Sequence, residues 1–342
     1  ITGTKKLTGK VYMKAKTYNT IFFILGLLTL LYMVYKIGLQ VIWNNIMQTG
    51  IWFVPVIGIW LIIYILNALA FKEIIFERKL PESNLPFLSI LKLTISGYAI
   101  NYITPFIALG GEPYRVMTLQ KKLNTNKATS SVLLYNIIHI FSHIIFWMVS
   151  IICIIIVLKP GLMALLGCIL TFLIFFFLLY WVFLKYKKGL LMITFTMLSK
   201  IPFLRKKIGV FIEKRRENLL EIDQHIIDLF SHRSGTFYAS MVFEFVARAI
   251  GCLEIYFIAL ALQAPIGLFD SFVISAGSSL FANLIFFSPM QLGAREGGFI
   301  LALRSMGLNG GMGIFMSLVT RIRELVWIFI GLILMKTKSK HL

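Results

Sequence analysis

Acidic residues and cysteines are scarce in this chain, and their scarcity excludes several classes of protein. The 342 residues contain 14 Asp and Glu against 34 Lys and Arg, and only three cysteines. Cys153, Cys168 and Cys252 all lie in apolar stretches and form no CxxC pair, so we expect neither a disulfide framework nor a thiol redox motif. The sequence also lacks a Walker A motif and an HExxH motif, so neither ATP as an energy source nor a metal site is predicted.

Hydrophobic residues dominate the composition instead. They make up 58% of the chain, and the mean hydropathy is +0.86, which a soluble domain of this size would not tolerate. We therefore predict an all-α, polytopic membrane bundle in which 1–342 form a single integral membrane domain. Apolar windows centre on 20–35, 51–71, 129–158, 161–184, 237–262 and 311–335, and weaker windows cover 87–109 and 271–292.

The net charge of +20 is distributed as in a membrane protein rather than as in a nucleic-acid-binding protein. Lysines without any acid precede the first apolar window, the segment 185–236 is rich in Lys and Arg, and Lys336, Lys338 and Lys340 lie near the end of the sequence. Basic residues of this kind stay on the cytoplasmic side and attract anionic inner-leaflet lipids. We predict a multi-pass protein of the cell membrane with both termini in the cytoplasm and with no nucleic acid partner.

Two segments far apart in the chain resemble each other and place charge directly after apolar runs. The first, from Thr104 to Arg115, reads TPFIALGGEPYR, and the second, from Ser288 to Gly298, reads SPMQLGAREGG. In each, a hydroxyl residue precedes Pro, and a Glu follows that Pro by seven positions. Gly and Pro interrupt helices, and paired interruptions in the two halves of a transporter indicate its binding site.

The charge distribution also predicts an inverted-topology repeat. If 87–109 crossed the membrane fully, the lysines that follow it would lie outside, whereas a segment that dips in and returns keeps them in the cytoplasm. The same treatment of 271–306 relates an N-terminal half, 20–158, to a C-terminal half, 161–335, with about six full spans and two re-entrant hairpins. Hairpin arms of 12–17 residues would reach roughly 18–25 Å, which is sufficient for the middle of the bilayer. Eight full spans are the alternative.

The segment 185–236 is predicted to be a cytoplasmic basic loop. Within 208–230, hydrophobic and charged residues alternate at helical spacing, which favours an amphipathic helix at the level of the lipid headgroups. A plain connecting helix that packs on the bundle fits the same pattern equally well.

The two interrupted segments form the candidate headgroup site. Glycine-rich, partly unwound backbone beside an Arg offers free N–H groups and a bidentate guanidinium to an anion. We expect each Glu to neutralise its neighbouring Arg when no lipid is bound, and Glu112 and Glu296 to be equivalent partners across the repeat. The predicted headgroup-binding residues are Gly110, Gly111, Glu112, Arg115, Gly293, Arg295 and Glu296.

Further charged residues interrupt the apolar windows, and such residues usually face the bundle interior and pair. Glu244 lies one helical turn from Arg248, so we expect these two to pair. On the same basis we expect Arg321 or Arg323 to pair with nearby Glu324. The predicted supporting charges are Glu244, Arg248, Glu254, Arg321, Arg323 and Glu324.

His139 and His143 also lie one helical turn apart within an apolar window. The spacing fits polar side chains that face a cavity, a polar or proton relay, or two ligands of a metal. No third metal ligand with a matching context is apparent, so we expect neither a metal nor any other cofactor.

The two motifs resemble the signatures of a known family. Gly111-Glu112-Pro113-x-Arg115 resembles the first signature of the lysylphosphatidylglycerol synthase transmembrane-domain family, whose members are also described as flippase-like. The stretch Pro289 to Glu296, Pro-x-x-x-Gly-x-Arg-Glu, resembles the second, although Met290-Gln291 stands where Gly is common. The resemblance covers essentially the whole chain. It implies a polytopic membrane protein that moves or handles a phospholipid or a polyprenyl-linked lipid, and it makes a homodimer plausible.

The sequence as a whole favours a lipid flippase or transporter rather than an enzyme. Full-length synthases append a soluble aminoacyl-transferase domain, and because none follows here, we do not expect synthase activity. One alternative is an intramembrane lipid-modifying enzyme with a carboxylate or His139 as general base. Another is a scaffold partner of a lipid-pathway enzyme.

Overall fold

The computed structural model describes residues 20, 23–78, 80–104, 110–201, 205–284 and 293–337. These ranges are helical and contain no strand, as the composition predicts. The helices are α1 (Phe23–Ile37), α2 (Leu39–Thr49), α3 (Phe53–Ile75), α4 (Phe87–Ile103), α5 (Gly111–Leu119), α6 (Thr125–Leu158), α7 (Leu162–Lys185), α8 (Leu190–Leu198), α9 (Arg205–Ser231), α10 (Ser234–Gly251), α11 (Leu253–Ala261), α12 (Leu268–Leu284), α13 (Ala294–Ser305) and α14 (Gly311–Lys336).

Several of these helices have the length and composition of membrane spans. The 3₁₀ turn Gly50–Trp52 joins α2 to α3, so Leu39–Ile75 is a helical stretch of 37 residues. Thr125–Ile156 and Leu162–Lys185 also exceed the roughly 20 apolar residues that a bilayer requires. The polytopic, all-helical prediction is therefore confirmed.

Each of the two segments predicted to be re-entrant contains a first helix and a second, returning helix that packs against it. In the first, α4 has 17 residues and packs on α5, which has 9. In the second, α12 has 17 residues and packs on α13, which has 12. Every arm is shorter than the roughly 20 residues of a full span. The connecting residues 105–109 and 285–292, which include Pro105 and Pro289, lie outside the described residues.

Small residues let the two arms of each hairpin approach closely. A Cβ atom on Gly111 would collide with the carbonyl oxygen of Gly97 in α4. A Cβ atom on Gly298 would lie 2.9 Å from Ser278 Cα and 3.0 Å from its carbonyl oxygen in α12. Both glycines are thus required by backbone contact, as is common where membrane helices pack closely.

The helix contacts of the first hairpin recur in the second. In the first hairpin, α4 packs along α14, and in the second, α12 packs against α6. The returning arms repeat this relation, since α5 contacts α6 and α13 contacts α14, while α3 packs on α10 between the halves. If α4, α5 and α6 are replaced by α12, α13 and α14, and the reverse, each of these helix pairs maps onto another pair that is in contact. Its inversion across a membrane stays a prediction.

The basic segment 185–236 contains the predicted helix, which extends over α9. Its C-terminal part is packed on the bundle, because Ile226 and Leu229 are fully buried and join a core that includes Phe71 and Tyr135. Its N-terminal part exposes Val210 and Phe211. The C-terminal part of α9 is thus a connecting helix packed on the bundle. For its N-terminal part, a position at the level of the lipid headgroups stays a prediction.

The apolar window 237–262 is divided between two helices. α10 ends at Gly251 and α11 begins at Leu253. The backbone N–H of Cys252 bonds the carbonyl of Ala249 at 3.2 Å, a tightened turn of the 3₁₀ type. The interruption separates Arg248 on α10 from Glu254 on α11, and both line the cavity described next.

Candidate functional site

A cavity of about 340 Å³ lies between α3, α4, α6 and the C-terminal helices α10 to α14. This volume is within the range of roughly 300–1,000 Å³ that is usual for small-molecule sites. Aromatic rings of α3 and α4 form part of the wall, and serines of α12 form another part. The charged side chains of the lining are Arg248, Arg295, Arg323, Glu244, Glu254 and Glu324.

His139 of α6 stands between an acid and a base of α10. Its Nδ1 lies 2.7 Å from Glu244 Oε2, and Arg248 Nη2 donates to its Nε2 at 3.1 Å. These partners assign a neutral imidazole with the proton on Nδ1. Asn67 donates to the other oxygen of Glu244 at 2.7 Å, so both oxygens of this buried carboxylate are satisfied.

Arg248 is held by neutral groups rather than by a carboxylate. Besides His139 Nε2, it donates to the ring nitrogen Nε2 of His143 and to the carbonyl oxygen of His139, the latter at 3.2 Å. No carboxylate lies within salt-bridge distance of it among the described residues, and its buried Nε has no hydrogen-bond partner there. The expected direct pair of Glu244 with Arg248 is therefore wrong, because the ring of His139 bonds to both.

Arg323 of α14 forms the most enclosed ion pair of the cavity. Its Nε and Nη2 donate to the two oxygens of Glu254 at 2.8 and 3.0 Å. Trp60 Nε1 donates to the same carboxylate at 2.9 Å, and the Trp60 ring lies 3.7 Å from the guanidinium. Glu324 is only a secondary partner, at 3.9 Å from Arg323 Nη1.

The charges of the second interrupted motif also pair with other helices rather than with each other. Arg295 Nη1 donates to Glu324 Oε1 at 2.6 Å. Glu296 Oε1 accepts from Arg321 Nη2 at 2.7 Å and from Ser317 Oγ at 3.0 Å. The expectation that Glu296 neutralises its neighbour Arg295 is thus wrong, since adjacent residues of a helix point in different directions.

Arg115, from the first motif, is buried outside the cavity lining. Only 1% of the residue is exposed, and its guanidinium carbon lies 4.9 Å from the ring centroid of Tyr98, 5.2 Å from Tyr135 and 5.9 Å from Phe71. Within the described residues, neither Nε nor Nη2 has a hydrogen-bond partner. The aromatic faces therefore supply its electrostatic stabilisation, and Glu112 does not neutralise it.

Glu112 and Glu296 occupy similar positions in the two hairpins but have different partners. Glu112 lies in the first turn of α5 and accepts from Asn101 Nδ2 at 3.1 Å, while Asn101 Oδ1 accepts the Gly111 N–H at 2.7 Å. Glu296 lies in the first turn of α13 and accepts the Gly293 N–H at 2.9 Å. Both carboxylates thus hold the start of a returning arm, and Gly110 is the N-cap residue of α5. Their functional equivalence stays a prediction.

The cavity gathers some predicted site residues and leaves others outside. Arg295, His139, His143 and the supporting charges Glu244, Arg248, Glu254, Arg323 and Glu324 line it. Glu112, Arg115, Glu296 and Arg321 lie behind the lining. The two histidines, which we expected to form a polar relay, are joined through Arg248.

Sequence reasoning missed an amide and several aromatic residues of the site. Asn67 and Trp60 on α3 and Tyr98 on α4 bond to or face its charged groups. Asn67 gave a signal, because a lone amide in an apolar helix needs a partner. The aromatic residues gave none, since the chain contains 30 Phe, 13 Tyr and 6 Trp.

A separate polar cluster lies where the α3–α4 connection meets α6 and α9. Lys127 Nζ donates to Glu77 Oε2 at 2.5 Å, and this hydrogen bond lowers the pKa of the Glu77 carboxyl. Ser130 Oγ lies 2.9 Å from His225 Nδ1. Burial, and secondarily the Lys127 cation, lowers the pKa of His225.

The described residues contain no group of three or more His, Cys, Asp or Glu that could hold a metal ion. No curated protein and no solved structure matches the chain significantly. The family model described as the lysylphosphatidylglycerol synthase transmembrane region matches residues 20–331, most of the chain. The expected resemblance is thereby confirmed: the chain belongs to the family of the lysylphosphatidylglycerol synthase transmembrane region, a multi-pass membrane family that relates to the handling of membrane lipid.

Proposed function

We propose that the protein moves a phospholipid or a polyprenyl-linked lipid with an anionic headgroup across the cell membrane, and that the headgroup passes through the cavity. A headgroup cannot cross hydrocarbon unaided, because burying an uncompensated charge is costly. The cavity supplies polar groups inside an otherwise apolar bundle, and movement of the α4–α5 and α12–α13 hairpins would provide alternating access.

The observation that carries this proposal is that Arg248 has no carboxylate partner among the described residues. Of the three cavity arginines, Arg295 and Arg323 are engaged with Glu324 and Glu254. Arg248 is held only by two imidazoles and a carbonyl, and its Nε lacks a partner among the described residues. The unpartnered Nε of Arg248 adjoins Nη2, so these two donors can bind a phosphate in a bidentate manner once Nη2 leaves His139.

The remaining predicted headgroup residues take two roles in this proposal. Arg295 lies at the cavity and can exchange Glu324 for a phosphate oxygen. Glu112 and Glu296 hold the first turns of the returning arms, and so position the hairpins. Arg115 is buried behind Tyr98 and Tyr135 and adds positive potential without touching the headgroup.

Lipid movement in proteoliposomes tests the proposal. The probe is a fluorescent phosphatidylglycerol, whose transfer between leaflets is followed by quenching with dithionite. We expect Arg248→Gln to slow transfer at least ten-fold, and Arg248→Lys to recover only part of it, since Lys lacks the planar fork. Glu244 keeps its bonds from Asn67 and His139 in both variants, so folding should persist.

The matched control is Arg304→Gln, which removes an Arg from an exposed position on α13. It should transfer lipid at the wild-type rate. Absence of transfer by the wild-type protein, or equal rates for Arg248→Gln and wild type, would contradict the proposal.

A lipid-modifying enzyme is the second candidate, and the Glu244–His139 pair favours it. A carboxylate that orients an imidazole is the usual support of a general base. The other ring nitrogen, however, accepts a bond from Arg248, so it is not free to take a proton from a substrate. Mass spectrometry of the lipids after the transfer assay distinguishes the candidates, because only an enzyme would produce a new lipid species.

A further inference from the structure

Arg248 contacts the acceptor nitrogens of two histidines. The guanidinium occupies the acceptor nitrogen Nε2 of both His139 and His143. While it does so, neither Nε2 can accept a proton, because its lone pair is already used. The Nδ1 proton of His139 is fixed by Glu244 at 2.7 Å.

We propose that the protein couples the binding of each anionic headgroup to the uptake of one proton at Nε2 of His139. This inference rests on the proposed function and names its energy source. A phosphate that binds the edge formed by Nε and Nη2 of Arg248 competes with the bond from Nη2 to His139. The released Nε2 then takes a proton from water and becomes a donor, and His139 becomes an imidazolium between Glu244 and the phosphate.

The balance of charge favours this exchange. Before the anion binds, the acid and the base of α10 cancel, with the neutral ring between them. A bound phosphodiester adds one negative charge to an enclosed site, where an uncompensated charge is costly. One proton restores neutrality, no covalent bond to the lipid forms or breaks, and the proton leaves when Arg248 returns to His139.

The groups that face His139 support a site poised between two protonation states. The Glu244 carboxylate lies beside Nδ1 and attracts positive charge to the ring, whereas the Arg248 guanidinium lies beside Nε2 and repels it until an anion offsets the guanidinium. From α3, Asn67 donates to the Glu244 carboxylate. The polar groups of α12 in the cavity wall are serine hydroxyls and one amide, and neither α7 nor α9 places a charged group in the described lining. The hydroxyl and titratable neighbours of His139 are Tyr98, Tyr135, His143, Glu244, Arg248 and Arg115.

Tyr98 lies on the Nδ1 side of His139, opposite the nitrogen that takes up the proton. Its hydroxyl lies 3.3 Å from His139 Nδ1 and 2.9 Å from the hydroxyl of Tyr135. On the other side, His143 is T-shaped against His139 and stacked on Trp147, whose Nε1 lies 3.4 Å from Ser279 Oγ. His139 is therefore the only imidazole of the described cavity that has a carboxylate on one nitrogen and a displaceable cation on the other.

A proton gradient across proteoliposomes tests the coupling separately from transport. With fluorescent phosphatidylglycerol as the probe, one proton per monoanionic lipid predicts a shift of about ten-fold in the leaflet distribution for each unit of pH difference. Because lipid and proton together carry no net charge, a membrane potential set with valinomycin should not move the distribution. The lipid distribution in His139→Gln should no longer respond to the gradient, and the control His225→Gln, on α9, should keep both the transfer and the response.

Proton uptake in detergent supplies a second readout. Titrating short-chain phosphatidylglycerol into weakly buffered protein with a pH dye should show about one proton bound per lipid for wild type and none for His139→Gln. Transfer by the wild-type protein without a gradient response, or lipid binding without proton uptake, would overturn the coupling and leave the proposed function intact. Binding with uptake but without transfer would overturn the transport function alone, and absence of binding would overturn both.

Discussion

At the scale of single residues, the site is defined by how each buried charge is compensated. Among the described residues, Arg323 has a carboxylate and an aromatic face, Arg115 contacts aromatic faces, and Arg248 donates to neutral acceptors. A buried charge that loses its partner is expensive, whereas an intact pair adds little net stability. These three arginines should therefore respond differently to substitution.

Arg323→Met should destabilise the protein strongly, by about 3–5 kcal/mol, because it leaves Glu254 as an unpaired buried charge. The double variant Arg323→Met with Glu254→Gln should be more stable than the single variant, since the orphaned charge is then removed. Thermal unfolding of the purified protein in detergent measures both. Purely additive effects of the two substitutions would contradict a direct pair.

Acidification should weaken the polar cluster of the α3–α4 connection. The pKa of His225 is lowered in the folded protein by burial, so the unfolded chain binds its proton more readily, and stability falls as pH drops through the usual value near 6.5. The Glu77 pKa is lowered by its bond from Lys127. Its contribution is therefore present above the ordinary value near 4.5 and is lost as pH falls below it.

The unfolding temperature as a function of pH, compared between wild type and His225→Gln, isolates the upper of these two steps. The variant should lose less stability than wild type between about pH 7 and pH 5.5. Parallel curves for the two proteins across this range would show that His225 does not titrate with folding.

Which charges belong to the interior could be predicted from the sequence, but their partners could not. A charged residue in an apolar window is expected to face the bundle interior, because exposing it to lipid is costly, and this holds for Glu254 and Arg323 whatever their partners are. The pairing of these two joins α11 to α14 across 69 positions of sequence. It depends on how the helices are rotated and crossed, and spacing along one helix carries no information about that.

At the scale of elements, the hairpins depend on close contact between their arms. Gly298→Ala should destabilise the protein by on the order of 1–3 kcal/mol, because its Cβ would meet the backbone of Ser278, which has no free rotamer to move. We also expect slower lipid transfer, since α13 carries Arg295. Unfolding temperature and the transfer rate are the measurements.

The chain offers a matched control for this substitution in Gly58 of α3. A Cβ there would meet no atom within 4 Å, so Gly58→Ala should be neutral or stabilise the helix by roughly 0.5–1 kcal/mol. If Gly298→Ala were equally well tolerated, the arms of the second hairpin would not be packed as closely as described.

The existence of these elements was more predictable than their ends. Gly and Pro after an apolar run indicated both interruptions, and α4 and α12 do end before them. The hydropathy windows could not show that α10 stops at Gly251 or that α9 packs its C-terminal part on the bundle. Those features arise from tertiary contacts, which override local preference.

At the scale of the whole molecule, the exchange of contacts between the halves predicts a definite topology. A cysteine introduced at Lys121, which follows α5, should react with an impermeant maleimide only after the cells are opened, because a re-entrant first hairpin returns the chain to the cytoplasm. A cysteine at the position of Lys159, between α6 and α7, should react in intact cells. Labelling at Lys121 from outside would favour eight full spans.

The central claim of the account is that an anionic headgroup occupies the cavity at Arg248, and photo-crosslinking tests it most directly. A phosphatidylglycerol with a diazirine in its headgroup is incorporated with the protein into liposomes, irradiated, and the labelled peptides are identified by mass spectrometry. We predict labelling of the cavity-facing residues of α10 and α12, lost in Arg248→Gln and retained in Arg304→Gln. Labelling confined to the outer surface of α7, which buries none of its residues in the bundle, and unchanged in Arg248→Gln would contradict the account.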